Sequence, residues 1–416
     1  MKRSTHKAAL VLCGASSIHL LRCFMKEHVQ AVIASTDPED YTFHSRYCDR
    51  REVITALQSS PRQFVCDLLR IGQSLKSKGV LIYGDDAVLL AISRHRETLA
   101  PFYRFLMPDA ELLEDVVDKL RFARLADRLG LPVPRTILSS EIRNPDDALQ
   151  EVMLPCVLKP GVHIGWGQSQ AVRDSGGMPR KVLFAQSPEE FGKSFRRMQE
   201  FTSDFVVQEW IPGGPQCIYS FHAIYSRQSE PLAYFVGRKV RTYPEDSGQS
   251  TYLELVTEPE VVRLGLEILK SLKFVGPVKI DFKKDQRRNR LYLLEVNARY
   301  NLWHYLGAAS GVNIPETAFA HLTGQPLSVA TAYRTDLRWL SFGIDFRAFI
   351  RDYHPSGSLT WWQWLSSYRC AKVYSLFSWS DPYPFLFNSL RYVKGKFLHV
   401  TRPTALTSPT GRLERQ

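Results

Sequence analysis

The stretch GPVKIDFKKDQRRNRLYLLEVN, residues 276–297, constrains the fold of this chain more than any other. Two alternating apolar runs flank a charged centre, which is the pattern of a β-hairpin with a solvated turn. Side chains two apart on a strand project from the same face. Glu295 and Asn297 therefore point to one side, Leu294 and Val296 to the other. With the turn centred near Arg288, antiparallel pairing sets Asp281 opposite Glu295 and Lys279 opposite Asn297. Two carboxylates and an amide on one strand face are oxygen ligands of the kind a hard cation such as magnesium requires. A solvated face with chance charges is the competing account for Glu295 and Asn297 taken alone. The register-matched Asp281 and the upstream lysines weigh against it.

The rest of the chain surrounds this hairpin with two other kinds of structure. At the N-terminus AALVLCGA, VQAVIAS and KGVLIYGDD are strand-like runs, and SSIHLLRCFMKEH and AVLLAISRHRE have helical spacing. That alternation predicts a small parallel-sheet α/β unit over 1–111. The turn at Gly14 lacks a G-x-G-x-x-G pattern, so it is read as a plain strand-to-helix turn. A second unit begins at Leu112, where ELLEDVVDKLRFARLADRLG reads as one amphipathic helix ending at Gly130. Beyond it lie PCVLKP, which brings Lys159 to the end of an apolar run, and FVVQEWIPGG, a strand running into a turn. Between them GVHIGWGQSQAVRDSGGMPR holds five glycines and reads as a loop able to move. CIYSFHAIYS and PLAYFVGRKVRTYP form a further expected hairpin.

Composition excludes several classes. A chain of 416 residues, 44% hydrophobic, has material for roughly two to three packed domains. No apolar run reaches the ~18 residues of a membrane span, and the N-terminal run is broken before a signal-peptide pattern is complete. Seven scattered cysteines without a C-x-x-C pair suggest neither zinc nor a disulfide framework, and a reducing cytoplasm fits them. The formal charge of +12 is concentrated late: from Thr331 onward 12 Lys and Arg face 5 Asp and Glu, a net of +7. No nucleic-acid-binding motif accompanies it, so a nucleic-acid partner is not expected.

The ordered set Lys119, Lys159, VVQEWIPG, Asp281 and LLEVNAR resembles the ATP-grasp superfamily, of the carboxylate–amine ligase type, with an ATP-binding domain like those of carbamoyl phosphate synthase and the D-amino-acid ligases. The likeness runs from about Ala8 to Leu327, most closely from Leu112 to Gly324. It implies a Rossmann-like N-terminal domain, 1–111, then a two-subdomain α/β and α+β ATP-grasp fold, 112–327, with its nucleotide cleft between 112–205 and 206–327. A basic, tryptophan-rich extension, 328–400, and a Ser, Thr and Pro-rich tail, 401–416, expected to lack order, complete the chain.

By the same resemblance, Lys119 and Lys159 match lysines on the α and β phosphates, and Gly161 to Gly177 the loop closing over the triphosphate. Gln208, Glu209, Trp210 and Ile211 match the adenine-binding hinge; Asp281, Glu295 and Asn297 match ligands of magnesium, with manganese as a substitute. Taken singly, Lys119 could be an ordinary residue of an amphipathic helix, and Trp210 a core residue. The chain departs from its relatives beyond the hinge. An acid often holds the ribose there; here the residues are Gly213, Gly214, Pro215 and Gln216, and only Gln216 offers a neutral bond.

The reaction implied is attack by a substrate carboxylate on the γ-phosphate of ATP, followed by attack of an amine on the acyl phosphate. Anion meeting anion needs pre-organised positive charge. Arg299 is the candidate for the developing oxyanion, and Arg238 and Lys239 are further candidates, with Arg241 expected to share the face of Lys239. Phosphate transfer to a hydroxyl, a thiol acceptor, or a nucleotide-responsive module without turnover are the alternatives. The tryptophans of Leu359 to Phe397 are expected mainly to pack onto the core, leaving at most weak peripheral membrane association through the Arg391 to Lys396 end.

Overall fold

The computed structural model describes residues 8–15, 17–26, 29–161, 182–245 and 248–400, the side chains at 146 and 395–400 excepted. Of the expected glycine-rich loop only Gly161 falls within these residues, and the expected tail 401–416 lies outside them. Sixteen strands in three sheets organise the described chain.

The first sheet comprises β1 (Leu10–Cys13), β2 (Ala31–Ser35), β3 (Arg50–Val53), β4 (Gly79–Tyr83) and β5 (Tyr103–Arg104), in the order β3-β2-β1-β4-β5 and parallel throughout. β1 and β4 are buried along their whole length, which explains their unbroken apolar runs. The helices between strands are locally encoded: Ser60 accepts the Gln63 N–H and Pro61 opens the helix Pro61–Gln73.

The second sheet holds β6 (Thr136–Leu138), β7 (Cys156–Pro160), β8 (Leu183–Ala185) and β9 (Phe205–Glu209), antiparallel in the order β6-β9-β7-β8. It has its own core, in which Phe191, Phe195 and Met198 of the helix Pro188–Phe201 pack on Leu158, Phe205 and Val207.

The third and largest sheet has seven strands, β10 (Ile218–Tyr225), β11 (Pro231–Tyr243), β12 (Gln249–Leu255), β13 (Gly276–Asp285), β14 (Arg290–Asn297), β15 (Arg338–Leu340) and β16 (Lys372–Tyr374), ordered β14-β13-β10-β11-β12-β15-β16. Both expected hairpins are present, β10–β11 and β13–β14. In the second, Asp281 pairs with Glu295 and Lys279 with Asn297, as the turn position requires. A bulge after Asp281 then slips the pairing by one, so that Phe282 meets Leu293.

One expected helix is two. The segment after Leu112 breaks at Asp118, whose backbone is extended and whose carboxylate accepts the N–H groups of Leu120 and Arg121, both at 2.9 Å. An aspartate that caps a helix competes with continuing one. The helices Ala110–Val117 and Lys119–Arg128 result, and Lys119 becomes the first residue of the second.

Two buried aspartates of the segment from Thr331 onward help tie it to the rest of the molecule. Asp345, fully buried, accepts from both Nε and Nη2 of Arg241 at 2.9 Å, from Thr251 at 2.7 Å, from Trp364 Nε1 at 3.1 Å and from the Tyr368 hydroxyl at 2.5 Å. Asp381, also fully buried, lies 3.5 Å from Arg22 and accepts from Ser45 Oγ at 2.8 Å and the Arg46 N–H at 3.0 Å. Of the tryptophans between Leu359 and Phe397, the expected packing holds for Trp364 but not for Trp361, Trp362 and Trp379, which are 43%, 82% and 90% exposed. The helix Trp361–Ser366 has only two turns and turns only Trp364 inward. Among the described residues no helix is long and apolar enough to cross a membrane.

Candidate active site

A cleft opens between the second and third sheets. On one side Lys119 begins its helix, with its backbone N–H bonded to Gly161 O at 3.0 Å, and Lys159 projects from the end of β7. The Lys159 ammonium donates to Gln208 Oε1 at 2.6 Å, and Gln208 Nε2 is in turn tied to Thr136 Oγ1 at 2.8 Å. Burial, and then the neighbouring Lys119 charge, push the Lys159 ammonium down to about 8, while Glu295 across the cleft acts the other way.

On the other side Asp281, Glu295 and Asn297 present their side chains together. Asp281 is buried; the Ser220 hydroxyl donates to its Oδ1, and the Lys279 ammonium lies 2.7 Å from its Oδ2 and 3.9 Å from Glu295 Oε1. Asn297 Nδ2 donates to Glu295 Oε1 at 3.1 Å, leaving its carbonyl oxygen to accept from Arg299 Nη2 at 3.3 Å. Among the described residues no group of three or more His, Cys, Asp and Glu is placed to hold a metal. Two carboxylates and an amide oxygen suit magnesium nonetheless, because that ion keeps waters and takes further oxygens from phosphates.

The expected hinge also borders the cleft. Gln208, Glu209, Trp210 and Ile211 all line it, and Glu209 is paired with Arg288 of the β13–β14 turn at 3.1 Å. Lys239 lines the cleft as well. Three candidates sit elsewhere. Arg238, next along β11, faces the opposite side of the sheet, where it donates to its cross-strand partner Glu254 at 2.7 Å; Glu254 also holds Arg338 at 2.8 Å. Gln216 is exposed on a short 3-10 turn, Pro215–Cys217, away from the cleft lining. Arg299 is outside the lining too, reaching it through Asn297 and bonded to Asp86 Oδ1 at 2.7 Å. Arg241 also leaves the face of Lys239, because register shifts on either side of it turn the side chain into the Asp345 cluster.

Two charged lining residues fall outside the sequence expectations. Lys283 stands over the Trp210 ring, 3.9 Å from its centroid, and is almost wholly buried. It lies two residues beyond Asp281 on β13, so strand alternation alone places it on the same face. Asp86 comes from the first sheet's unit, and only the tertiary fold brings it to Arg299.

Lysines on one side of the cleft face carboxylates on the other, an arrangement chemically suited to a polyanion. Comparison with known proteins agrees with that class. Residues 224–341 match a family model described as "ATP-grasp in the biosynthetic pathway with Ter operon". The D-aspartate ligase of Enterococcus faecium is 22% identical over 313 residues, covering 72% of this chain and 73% of that protein. Among solved structures, N5-carboxyaminoimidazole synthetase from Staphylococcus aureus complexed with ADP superposes with a TM-score of 0.59 at 14% identity, over 79% of this chain and 82% of that one. An L-amino acid ligase from Bacillus licheniformis superposes with a TM-score of 0.57 at 14% identity, over 78% and 75%. The two superpositions are likenesses of fold. Together with the sequence match they make the chain similar, in sequence and in fold, to proteins of the ATP-grasp superfamily.

Lys159→Ala is expected to weaken ATP binding about tenfold or more while costing the fold little, since the ammonium is a charge-assisted donor to phosphate. Calorimetric titration checks it, and an unchanged affinity removes Lys159 from the site. The low position of this ammonium also predicts a pH dependence: with the protonated form expected to bind phosphate, affinity for ATP in the parent protein should fall as pH rises through about 8. Lys159→Arg, charged throughout, is expected to flatten that profile.

Proposed function

We propose that the chain is an ATP-dependent carboxylate–amine ligase, and the single observation that carries this reading is the convergence of Lys119 and Lys159 with Asp281, Glu295 and Asn297 on one cleft. Residues 1–111 form the substrate-side unit and 112–327 the ATP-grasp unit, with 328–400 as the extension. ATP lies with its base along Gln208–Ile211 and its phosphates between the two lysines and the β13–β14 face. Asp281, Glu295 and Asn297 would hold magnesium there, and the ion would supply charge neutralisation for the triphosphate.

A substrate carboxylate oxygen attacks the γ-phosphorus, ADP departs, and an acyl phosphate forms. The amine nitrogen then attacks the acyl carbon, the carbon–oxygen bond to phosphate breaks, and inorganic phosphate leaves with the amide formed. Lys239 and Lys283 stand within reach of the same cleft as further cationic groups, and Arg299 is held by Asp86 and Asn297 to steady the developing oxyanion. Arg238 and Gln216 have no part in the step. The free thiols of Cys13, Cys23 and Cys156, all buried, suit a reducing cytoplasm.

The relatives act on D-aspartate and L-amino acids by name, so amino acids head the set of acids and amines to be tried. ADP release across a matrix of carboxylates and amines, with mass measurement of the product, tests the reading. A product with the mass of acid plus amine less water supports it. ADP formed without such a product, by transfer of phosphate to a hydroxyl, refutes it.

A further inference from the structure

We propose that a cavity at the carboxyl edge of the first sheet is the pocket for the amine substrate, where Asp85 receives the ammonium of an amine with an apolar body and no carboxylate of its own. The proposal rests on the ligase reading above and narrows the amine side of the compounds to be tried. In the order β3-β2-β1-β4-β5 the chain runs from β1 out to one edge and then crosses back to β4. The connections therefore part between β1 and β4, and open α/β sheets bind ligands outside the carboxyl ends of their strands at such a point. The cavity lies there: Cys13 ends β1, Ala34 is near the end of β2, Ile54 follows β3 and Asp85 follows β4. Its volume is about 330 Å³, at the lower end of the ~300–1,000 Å³ of small-molecule sites. Two glycines bring the carboxylate into place. Gly14 has a φ of +89°, and a Cβ on it would collide with Asp85 Oδ2; a Cβ on Gly84 would collide with Ala15 O. Asp85 Oδ2 accepts the Ala15 N–H at 3.2 Å and Oδ1 the Val88 N–H at 2.8 Å, as the cap of the helix Asp86–Arg94. Those two bonds use about half of what a carboxylate can accept.

The lining selects the occupant. Among the described residues of the cavity wall Asp85 is the one charged group, and no Lys, Arg or His is there to receive a carboxylate or a phosphate. Leu57, Phe64 and Val88 supply apolar surface, and Gln58 a neutral polar side chain. A second cleft shares Gly14 and Ala15 with this cavity and carries Asp37, Asp40 and Arg391. Arg391 bonds Asp37 at 2.7 Å and pairs with Glu39 at 3.3 Å, so the approach from that side is acidic on balance. A recess lined by one sign of charge concentrates ions of the other. An α-amino acid would bring its carboxylate to the same wall with nothing to pair it. The cavity also adjoins the reacting side of the ATP cleft. Asp86, next in the chain to Asp85, lines that cleft and bonds Arg299 at 2.7 Å. Burial works against the Arg299 guanidinium, but Asp86, then Glu295 and Asp85, more than offset it, so Asp85 acts within range of the group assigned to the oxyanion.

Phenethylamine, 3-phenylpropionate and L-phenylalanine share one body and differ in the charged groups they carry. Calorimetric titration of the full chain with each, at neutral pH, tests the proposal. Phenethylamine is expected to bind, and the two carboxylates to bind about tenfold more weakly or worse. Asp85→Asn removes the charge but keeps a helix-capping side chain, and should lower phenethylamine affinity about tenfold or more. Ala87→Leu, which alters no charge and fills the cavity from its wall, should do the same. Melting curves show which variants are folded; if Asp85→Asn melts early, Ala87→Leu decides alone. Equal binding of either carboxylate, no binding of phenethylamine, or phenethylamine binding untouched in the folded variants overturns the proposal. These titrations need no turnover, so failure of the cavity is seen apart from failure of the ligase reading, which ADP release and product mass decide.

Discussion

Asp281→Asn and Glu295→Gln are each expected to lower the rate of ADP formation by about a hundredfold or more, the scale of losing a pre-organised electrostatic contact in a water-poor site. Each change deletes one negative charge at constant size. Asp281 is the more sensitive of the two, because it is buried, accepts from Ser220 and sits 2.7 Å from the Lys279 ammonium. An asparagine there keeps an oxygen for Ser220 but no longer balances Lys279, and the fold should lose only about 1–3 kcal/mol, since Glu295 lies within reach of the same ammonium. The measurement is turnover as a function of magnesium concentration, beside a melting curve. A raised magnesium requirement in a folded variant is the expected signature. Parent rates with parent magnesium dependence in both variants would remove these residues from the metal site.

The largest effect on stability is expected at Asp345→Ala. Its carboxylate joins Arg241 of β11, Thr251 of β12 and Trp364 and Tyr368 of the C-terminal segment, all within 3.1 Å. Removing one partner of a buried ion pair leaves the other charge uncompensated, at a cost of about 3–5 kcal/mol. Among the described residues Arg241 is paired with no second carboxylate; Ser367 Oγ at 3.2 Å and the Tyr252 and Tyr368 rings beside the guanidinium remain. Urea unfolding should show a midpoint shifted by that amount, and a midpoint equal to the parent's would mean that the cluster does not hold the segment in place. Because Lys239 and Thr242 flank Arg241 and line the cleft, the same variant should also bind ATP less tightly.

Much of this arrangement was legible in the sequence wherever the interaction was local. The β13–β14 register follows from the turn position and strand alternation, and it sets Asp281 against Glu295 without further information. The parallel sheet follows from alternating apolar runs and helices. What escaped depends on capping, bulges and distant partners. Asp118 divides a helix whose amphipathic spacing is continuous, because a carboxylate cap acts through hydrogen bonds that periodicity does not register. Arg241 was assigned by simple alternation, and the irregular register beside it turned the side chain away. Arg238 was a candidate on account of its charge; Glu254, its partner, is 16 residues away on the next strand. Asp86 and Arg299 meet across 213 residues, beyond the reach of any local pattern.

The tryptophans show the same limit from the other side. A preference for burial describes the average tryptophan. Whether Trp362 or Trp364 turns inward depends on the phase of a two-turn helix against the Asp345 cluster, which only the tertiary structure supplies.

The central claim, that a carboxylate is activated as an acyl phosphate and then captured by an amine, is tested most directly by labelling the substrate carboxylate with oxygen-18 and analysing the phosphate released. If the carboxylate oxygen attacks the γ-phosphorus and the carbon–oxygen bond later breaks, each phosphate carries a single label and the amide keeps the other. Phosphate free of label, formed together with ADP and amide, would contradict the account.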